Sequence, residues 1–445
     1  MTLASRVASP RPLALAIILG LCLPERSRCQ AADSSGLGPP LSLETVVTRT
    51  LAYSPGVAGA RGTVRDAAAL RRVTLGAYLP SLALTSSAGW SDQTTSALGV
   101  TSGLTQTGGT NTYGAGFAAS LDVFTGGRRG AQRSQAEALS QAADAGFAQQ
   151  RYATILLAKQ GYYEVARAHE LVRVAIEAVE QAQLGLGYAR DRARAGTATR
   201  ADVLLAELTL STARRRELAA RDTLSLSGAA LGRLVGANGA VDAEPPTTLE
   251  LAPLALSDSA ILALAPAAAP AVVSTQAQVT ASAAGVRASK SQYLPTVAVG
   301  AGYNWANESR VPGALRPGWI VAFTTTFPLF NGFVRESAVT QAEVAADVAT
   351  AMAADTKRLA RADAQRLLGG LHVAEQDIAL TREAVRLGSE DLRVIQARYR
   401  AGIATILDVL TSETALTQAE LDLVSARFTY QVARASLEAL LGRTL

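Results

Sequence analysis

Residues Arg192–Glu207 read RARAGTATRADVLLAE and residues Arg398–Glu413 read RYRAGIATILDVLTSE, so that ten of sixteen positions are identical. The repeat extends well beyond this segment, because residues 113–236 align with residues 319–442 at a shift of 206 positions. Two copies of so long a unit predict one pseudo-symmetric body in place of several independent domains.

A second aligned segment lies upstream at a different spacing. AYLPSLALTSSAGW at residues 77–90 aligns with QYLPTVAVGAGYNW at residues 292–305, a shift of 215. The nine-residue difference falls in residues 91–112, which are rich in Gly and Thr and predict a loop. The predicted layout has a first repeat at residues 32–236 and a second repeat at residues 271–445. Between them, residues 237–270 are predicted to be a linker that forms an equatorial belt.

The N-terminus predicts export. In residues 1–31, two arginines precede an apolar run at residues 13–23, and a polar stretch follows it, the pattern of a cleaved secretory signal peptide. Cleavage after Ala31 or Ala32 removes Cys22 and Cys29, so the mature chain is expected to have neither disulfides nor thiolate metal sites. The signal peptide also supplies +3 of the net charge of +5, which leaves about +2 (5 − 3). So small a charge argues against nucleic-acid binding.

Four segments alternate between apolar and small or polar residues, as membrane β-strands do. They lie at about residues 79–91, 113–124, 294–305 and 319–329. A soluble hairpin with one wet face would give the same pattern. Aromatic residues at the strand ends next to the two loops fit a membrane-interface girdle: Trp90, Tyr113, Trp305 and Trp319. Since membrane barrels need about eight strands or more, several copies must contribute to one barrel.

Each pair of strands is followed by a long proline-free run that predicts a helix. Residues 131–194 and 335–400 contain 64 and 66 residues, about 96 Å and 99 Å of helix. Shorter helices are predicted beside them, at residues 57–76, 199–236, 271–292 and 405–441. A rod-like coiled coil is the alternative, although glycine-rich alternating strands do not belong in one.

In this order, these motifs resemble those of the TolC family of outer-membrane efflux proteins. The resemblance rests on two Y-L-P strand entrances, two strand-to-helix turns at Phe124–Gly127 and at Phe330 with Gly332, and the duplicated R-A-G hairpins. It implies a mainly α fold with a small membrane β part and a two-fold internal repeat. Three chains, with four strands each, would form a twelve-strand outer-membrane β-barrel, continued by a twelve-helix periplasmic α-barrel.

The resemblance also implies a function. The chain would be the outer-membrane duct of a tripartite efflux or type I secretion system, passively exporting small molecules or proteins. Its partners would be two further copies in a homotrimer, outer-membrane lipid, a periplasmic adaptor protein and an inner-membrane pump. No catalytic motif or cofactor site is present in the sequence, and His169 and His372 are not equivalent in the repeat. The alternative is a periplasmic helical scaffold or adaptor that forms no channel.

The hairpin tips, about residues 194–199 and 400–405, are the implied adaptor contacts, at Arg194, Ala195, Gly196, Thr197, Arg400, Ala401, Gly402 and Ile403. The implied entrance residues are Asp408, Asp202 and Tyr399. Thr411 and Ala404 replace a second constricting aspartate and a locking arginine of the family, which implies a single aspartate ring and a weaker latch.

The two aspartates also have a local explanation. Thr199-x-x-Asp202 and Thr405-x-x-Asp408 both match the capping box that begins a helix. An aspartate in the first turn is further favoured by the helix dipole. The capping role and the entrance role are compatible.

Overall fold

Two helices of 67 residues each organise the structure, a computed structural model that describes residues 38–92, 109–245, 254–306 and 316–445. The predicted signal peptide, most of the predicted loop at 91–112 and residues 246–253 of the predicted belt lie outside the described residues. The long helices are α3 (Arg128–Arg194) and α7 (Val334–Arg400), each about 100 Å long. Both follow a residue in the left-handed backbone region, Gly127 at φ 83° and Phe333 at φ 63°.

The shorter helices pack beside these two in a definite order. They are α1 (Leu43–Tyr53), α2 (Pro55–Gly76), α4 (Arg200–Leu234), α5 (Asp258–Ala268), α6 (Pro270–Lys290) and α8 (Ile406–Leu441). Towards the hairpin tips the neighbours run α4-α3-α8-α7, and towards the strands they run α2-α3-α6-α7. In both layers α7 lies at one edge, with α4 or α2 at the other.

The strands form one antiparallel sheet in the order β2 (Ser81–Asp92), β3 (Gly109–Phe124), β5 (Thr296–Ala306) and β6 (Arg316–Thr326). The register aligns apolar side chains in rows across the sheet, one of which contains Leu84, Phe117, Tyr303 and Trp319. Leu84 and Trp319 are 68% and 79% exposed, so this apolar face has no covering layer among the described residues. β2 and β6 are the edges of the sheet.

The start of the first repeat and the segment that follows this repeat pair in the middle of the helical body. Strand β1 (Pro40–Leu41) pairs in parallel with β4 (Asp242–Ala243). Beside this pair, Val46, Val165 and Leu231 are fully buried in one apolar cluster. A second cluster joins α5, α7 and α8. The predicted belt is thus partly helical, because α5 occupies residues within 237–270.

Residues 258–293 are the one described segment that is long and apolar enough to cross a membrane, by length and composition only. The helix is interrupted at Ala269, whose ψ is 136°, and restarts at Pro270. Helix α5 packs on α7, and α6 packs between α3 and α7. Ala281 and Ala284 of α6 are buried, so the segment belongs to the helical body.

Candidate functional site

The two hairpin tips have the same backbone construction. After α3, Gly196 adopts φ 75°, and after α7, Gly402 adopts φ 80°. Thr197 N donates to Arg192 O at 2.9 Å, and Ile403 N donates to Arg398 O at 2.9 Å. These bonds form Schellman motifs, in which glycine supplies the left-handed residue that ends the helix. Each tip is therefore a tight turn fixed by its own backbone.

Both returning helices begin with a capping box. Thr199 N donates to Asp202 Oδ2 at 2.8 Å, and Asp202 N donates back to Thr199 Oγ1 at 3.2 Å. Thr405 and Asp408 make the same pair of bonds at 2.8 and 3.3 Å. The Thr405 backbone N–H and hydroxyl lower the pKa of Asp408, so its exposed carboxylate is charged at neutral pH.

Tyr399 links the two hairpins. Its side chain is 2% exposed and packs in a cluster with residues of α3, α4 and α8. Arg192 of α3 lies over the Tyr399 ring at 4.6 Å and donates to Tyr399 O at 3.1 Å and to Thr197 O at 3.2 Å. Burial raises the pKa of Tyr399, and its hydroxyl has no hydrogen-bond partner among the described residues. The contact therefore depends on the ring and the backbone carbonyl.

A reciprocal contact runs in the opposite direction. Arg400 of α7 lies over the ring of Tyr188 of α3 at 4.5 Å and donates to the Tyr188 hydroxyl. Among the described residues, Arg194, the corresponding residue of the first repeat, pairs only with Asp191 on its own helix, and it is 81% exposed. Two arginine–tyrosine contacts thus join α3 to α7. Sequence reasoning missed Arg192 and Tyr188, although Arg192 lies within the quoted repeat.

Two positions at which the chain departs from the family pattern have plain structural roles. Thr411 donates its hydroxyl to Leu407 O at 2.8 Å, the ordinary bond of a threonine within a helix. Ala404 is half-buried and packs against the cluster that contains Tyr399. Neither residue carries charge, so Asp408 is the charged group of this turn of α8.

A buried carboxyl lies one turn further along α8. Glu413 is 9% exposed, and its Oε1 has no hydrogen-bond partner among the described residues. Burial raises the pKa of Glu413 to about 7. Its counterpart in the first repeat, Glu207, is 44% exposed and accepts from Arg190 at 2.7 Å. Sequence reasoning missed Glu413 because the two glutamates look equivalent in the repeat.

The two histidines lie at the belt. His169 Nε2 is 2.5 Å from an Asp242 carboxylate oxygen, and His372 Nε2 is 3.5 Å from Asp258. In the described part of the chain, no three His, Cys, Asp or Glu side chains are grouped as ligands of a metal ion would be. Both histidines therefore connect a long helix to the belt.

Comparison with known proteins shows which proteins this chain is similar to. Residues 46–237 and 261–443 match the outer membrane efflux protein family. Protein CyaE of Bordetella pertussis (strain Tohama I) is 29% identical over 414 residues, which cover 89% of this chain and 84% of CyaE.

Solved outer-membrane proteins have the same fold at low sequence identity. CusC is 20% identical with a TM-score of 0.77, covering 90% of this chain and 92% of CusC. VceC of Vibrio cholerae is 20% identical with a TM-score of 0.77, covering 90% and 96%. The CmeC outer membrane channel of Campylobacter jejuni is 16% identical with a TM-score of 0.79, covering 90% and 85%.

Proposed function

Because the chain belongs to the outer membrane efflux protein family, which is a family of transport channels and not of enzymes, we propose that it is the passive duct of a tripartite efflux or type I secretion system. Its place is the outer membrane, from which it extends into the periplasm. It exports small molecules or proteins once a periplasmic adaptor and an inner-membrane pump have docked.

The main support for this proposal is that the four-stranded sheet and both layers of helices have two unpaired edges. Strand β2 with helices α2 and α4 lies at one edge, and strand β6 with helix α7 lies at the other. An unpaired strand edge is very unfavourable in lipid, and four strands are too few to close a barrel. Since the two edges differ, copies join head to tail and close a ring. Three copies give twelve strands and twelve helices per layer.

Exposed apolar residues on the edge helices support this closure. Six on α7 are 40% to 70% exposed and follow a seven-residue spacing in which only Arg366 intervenes: Met352, Leu359, Val373, Leu380, Leu387 and Val394. Residues seven positions apart lie two turns apart on one face of a helix, so these side chains form an apolar row, the α7 seam, on which a neighbouring helix can pack. On α4, Leu204, Leu208 and Leu218 are 55% to 68% exposed and supply the facing surface.

The hairpin tips form the periplasmic entrance and its docking surface. Asp408 forms the single ring of negative charge at the entrance, and Asp202 is the linking aspartate of the other hairpin. Tyr399 with Arg192 holds the hairpins together. The exposed residues of the two turns, from Arg194 to Thr197 and from Arg400 to Ile403, contact the adaptor. Opening separates the α7–α8 hairpin from the α3–α4 hairpin.

The first experiment is the mass of the protein extracted in detergent from the outer-membrane fraction. A species of three chains is expected, and Leu380→Glu with Leu387→Glu should dissociate it by charging the α7 seam. Lys357→Glu, an exposed position of α7 off the seam, is the matched control and should leave the trimer intact. A soluble monomer or dimer that needs no detergent would instead favour the helical scaffold.

A further inference from the structure

Glu413 lies in the contact between the two hairpins and lacks the partner that its counterpart has. On α8 it faces Gly185 of α3, where an added Cβ would lie 3.5 Å from Glu413 Oε1. The missing side chain at Gly185 lets the carboxyl be enclosed between the helices. A buried carboxylate without a partner is costly in its charged form.

The repeat shows which residue is missing. Glu207 pairs with Arg190 at 2.7 Å. The position that corresponds to Arg190 in the second repeat is Gln396, at the shift of 206. Gln396 donates to Gln181 Oε1 at 3.3 Å. The second repeat has therefore replaced the cation that neutralises the first glutamate.

The groups around Glu413 do not replace that cation. On the same face of α3, Tyr188 is bound by Arg400, and Arg192 lies over Tyr399. On α7, Asp391 is acidic and accepts from Ser412 Oγ at 2.6 Å. α4 adds apolar residues to the adjoining cluster, Ala206 and Leu210, and Glu420 follows two turns further along α8.

We propose that Glu413 is a proton-operated latch of the entrance, neutral while α8 packs on α3 and ionised when the hairpin moves away. The inference rests on the proposed channel function. It adds a second regulatory signal beside docking of the adaptor, namely the pH of the compartment that the hairpin tips face.

The direction of the effect follows from the pKa of Glu413 in the two states. Burial raises that pKa to about 7 in the packed state, whereas a solvated glutamate titrates near its ordinary value of 4.5. Between these values the packed state binds more protons, so acid favours the closed entrance. The ratio of open to closed chains should rise about tenfold per pH unit up to about pH 7 and then level off.

The test measures the open probability of the full-length protein in planar bilayers from pH 5 to 8.5. The wild type should open progressively as the pH rises to about 7. Glu413→Gln, which imitates the neutral acid, should remain mostly closed across the range. Glu207→Gln is the matched control, since it changes the same residue type in the first repeat, and it should titrate like the wild type.

Three outcomes would overturn the inference: a pH-independent wild type, a Glu413→Gln channel that titrates like the wild type, or a loss of the pH dependence in Glu207→Gln. A detergent-extracted species of fewer than three chains would instead refute the proposed function itself, whatever the pH dependence. A second readout needs no pore. Thermal unfolding of the wild type should shift to lower temperature between pH 5 and 7, while that of Glu413→Gln should not.

Discussion

Arg192→Ala should weaken the closed state of the entrance by removing a contact between the two hairpins. In the wild type, Arg192 donates to Tyr399 O at 3.1 Å and lies over the Tyr399 ring at 4.6 Å. Tyr399 belongs to α7 and Arg192 to α3, so both interactions are lost when the hairpins separate. The bond to Thr197 O stays within one hairpin and does not count toward the difference.

The size of the effect follows from these two interactions. A hydrogen bond from a charged group contributes about 1.5 kcal/mol at the low end of its range, which suits the half-buried Arg192. A cation–π contact at a partly exposed site adds about 0.5 kcal/mol. Together they favour the closed state by about 2 kcal/mol, which corresponds to about a thirtyfold change in the open-to-closed ratio.

The assay is single-channel recording at a fixed pH of 7.5, where Glu413 titration contributes little further change. Arg192→Ala should raise the open-to-closed ratio about thirtyfold. Arg194→Ala is the matched control, because Arg194 is 81% exposed and pairs only within α3. An unchanged ratio in Arg192→Ala, or an equal rise in Arg194→Ala, would refute the conclusion that Arg192 stabilises the closed state.

Two further predictions concern the charge at the entrance and the middle of the body. Asp408→Asn should weaken block of the channel by multivalent cations, because the Asp408 carboxylate is the charged group of the first turn of α8. If titration of the block in single-channel recordings matched the wild type, Asp408 would not be an entrance residue. Lys159→Met should destabilise the fold by about 3 kcal/mol, since it leaves buried Glu438 without its cation. Lys159→Met with Glu438→Gln should recover most of that loss in chemical denaturation, and no recovery would show that the pair is not coupled.

Local features of the fold could be read directly from the sequence. The strands alternate with period two, and the long helices contain no proline until their glycine ends. The capping boxes at Thr199 and Thr405 were predicted and are present, because each depends on residues three positions apart. The family was also identified from the sequence, since its motifs are short, duplicated and in a fixed order.

The tertiary structure distinguishes residues that occupy equivalent positions in the sequence repeat. Arg192 and Tyr399 are 207 positions apart, and only the packing of α3 against the α7–α8 hairpin, through α8, brings them together. Glu207 and Glu413 occupy the same position in the repeat, yet one lies on an edge helix beside an arginine and the other is enclosed between α8 and α3. The sequence by itself determined the elements and their order, because these depend on neighbours along the chain. Only the tertiary structure determined which side chains are buried away from solvent, because burial depends on segments that are distant in sequence.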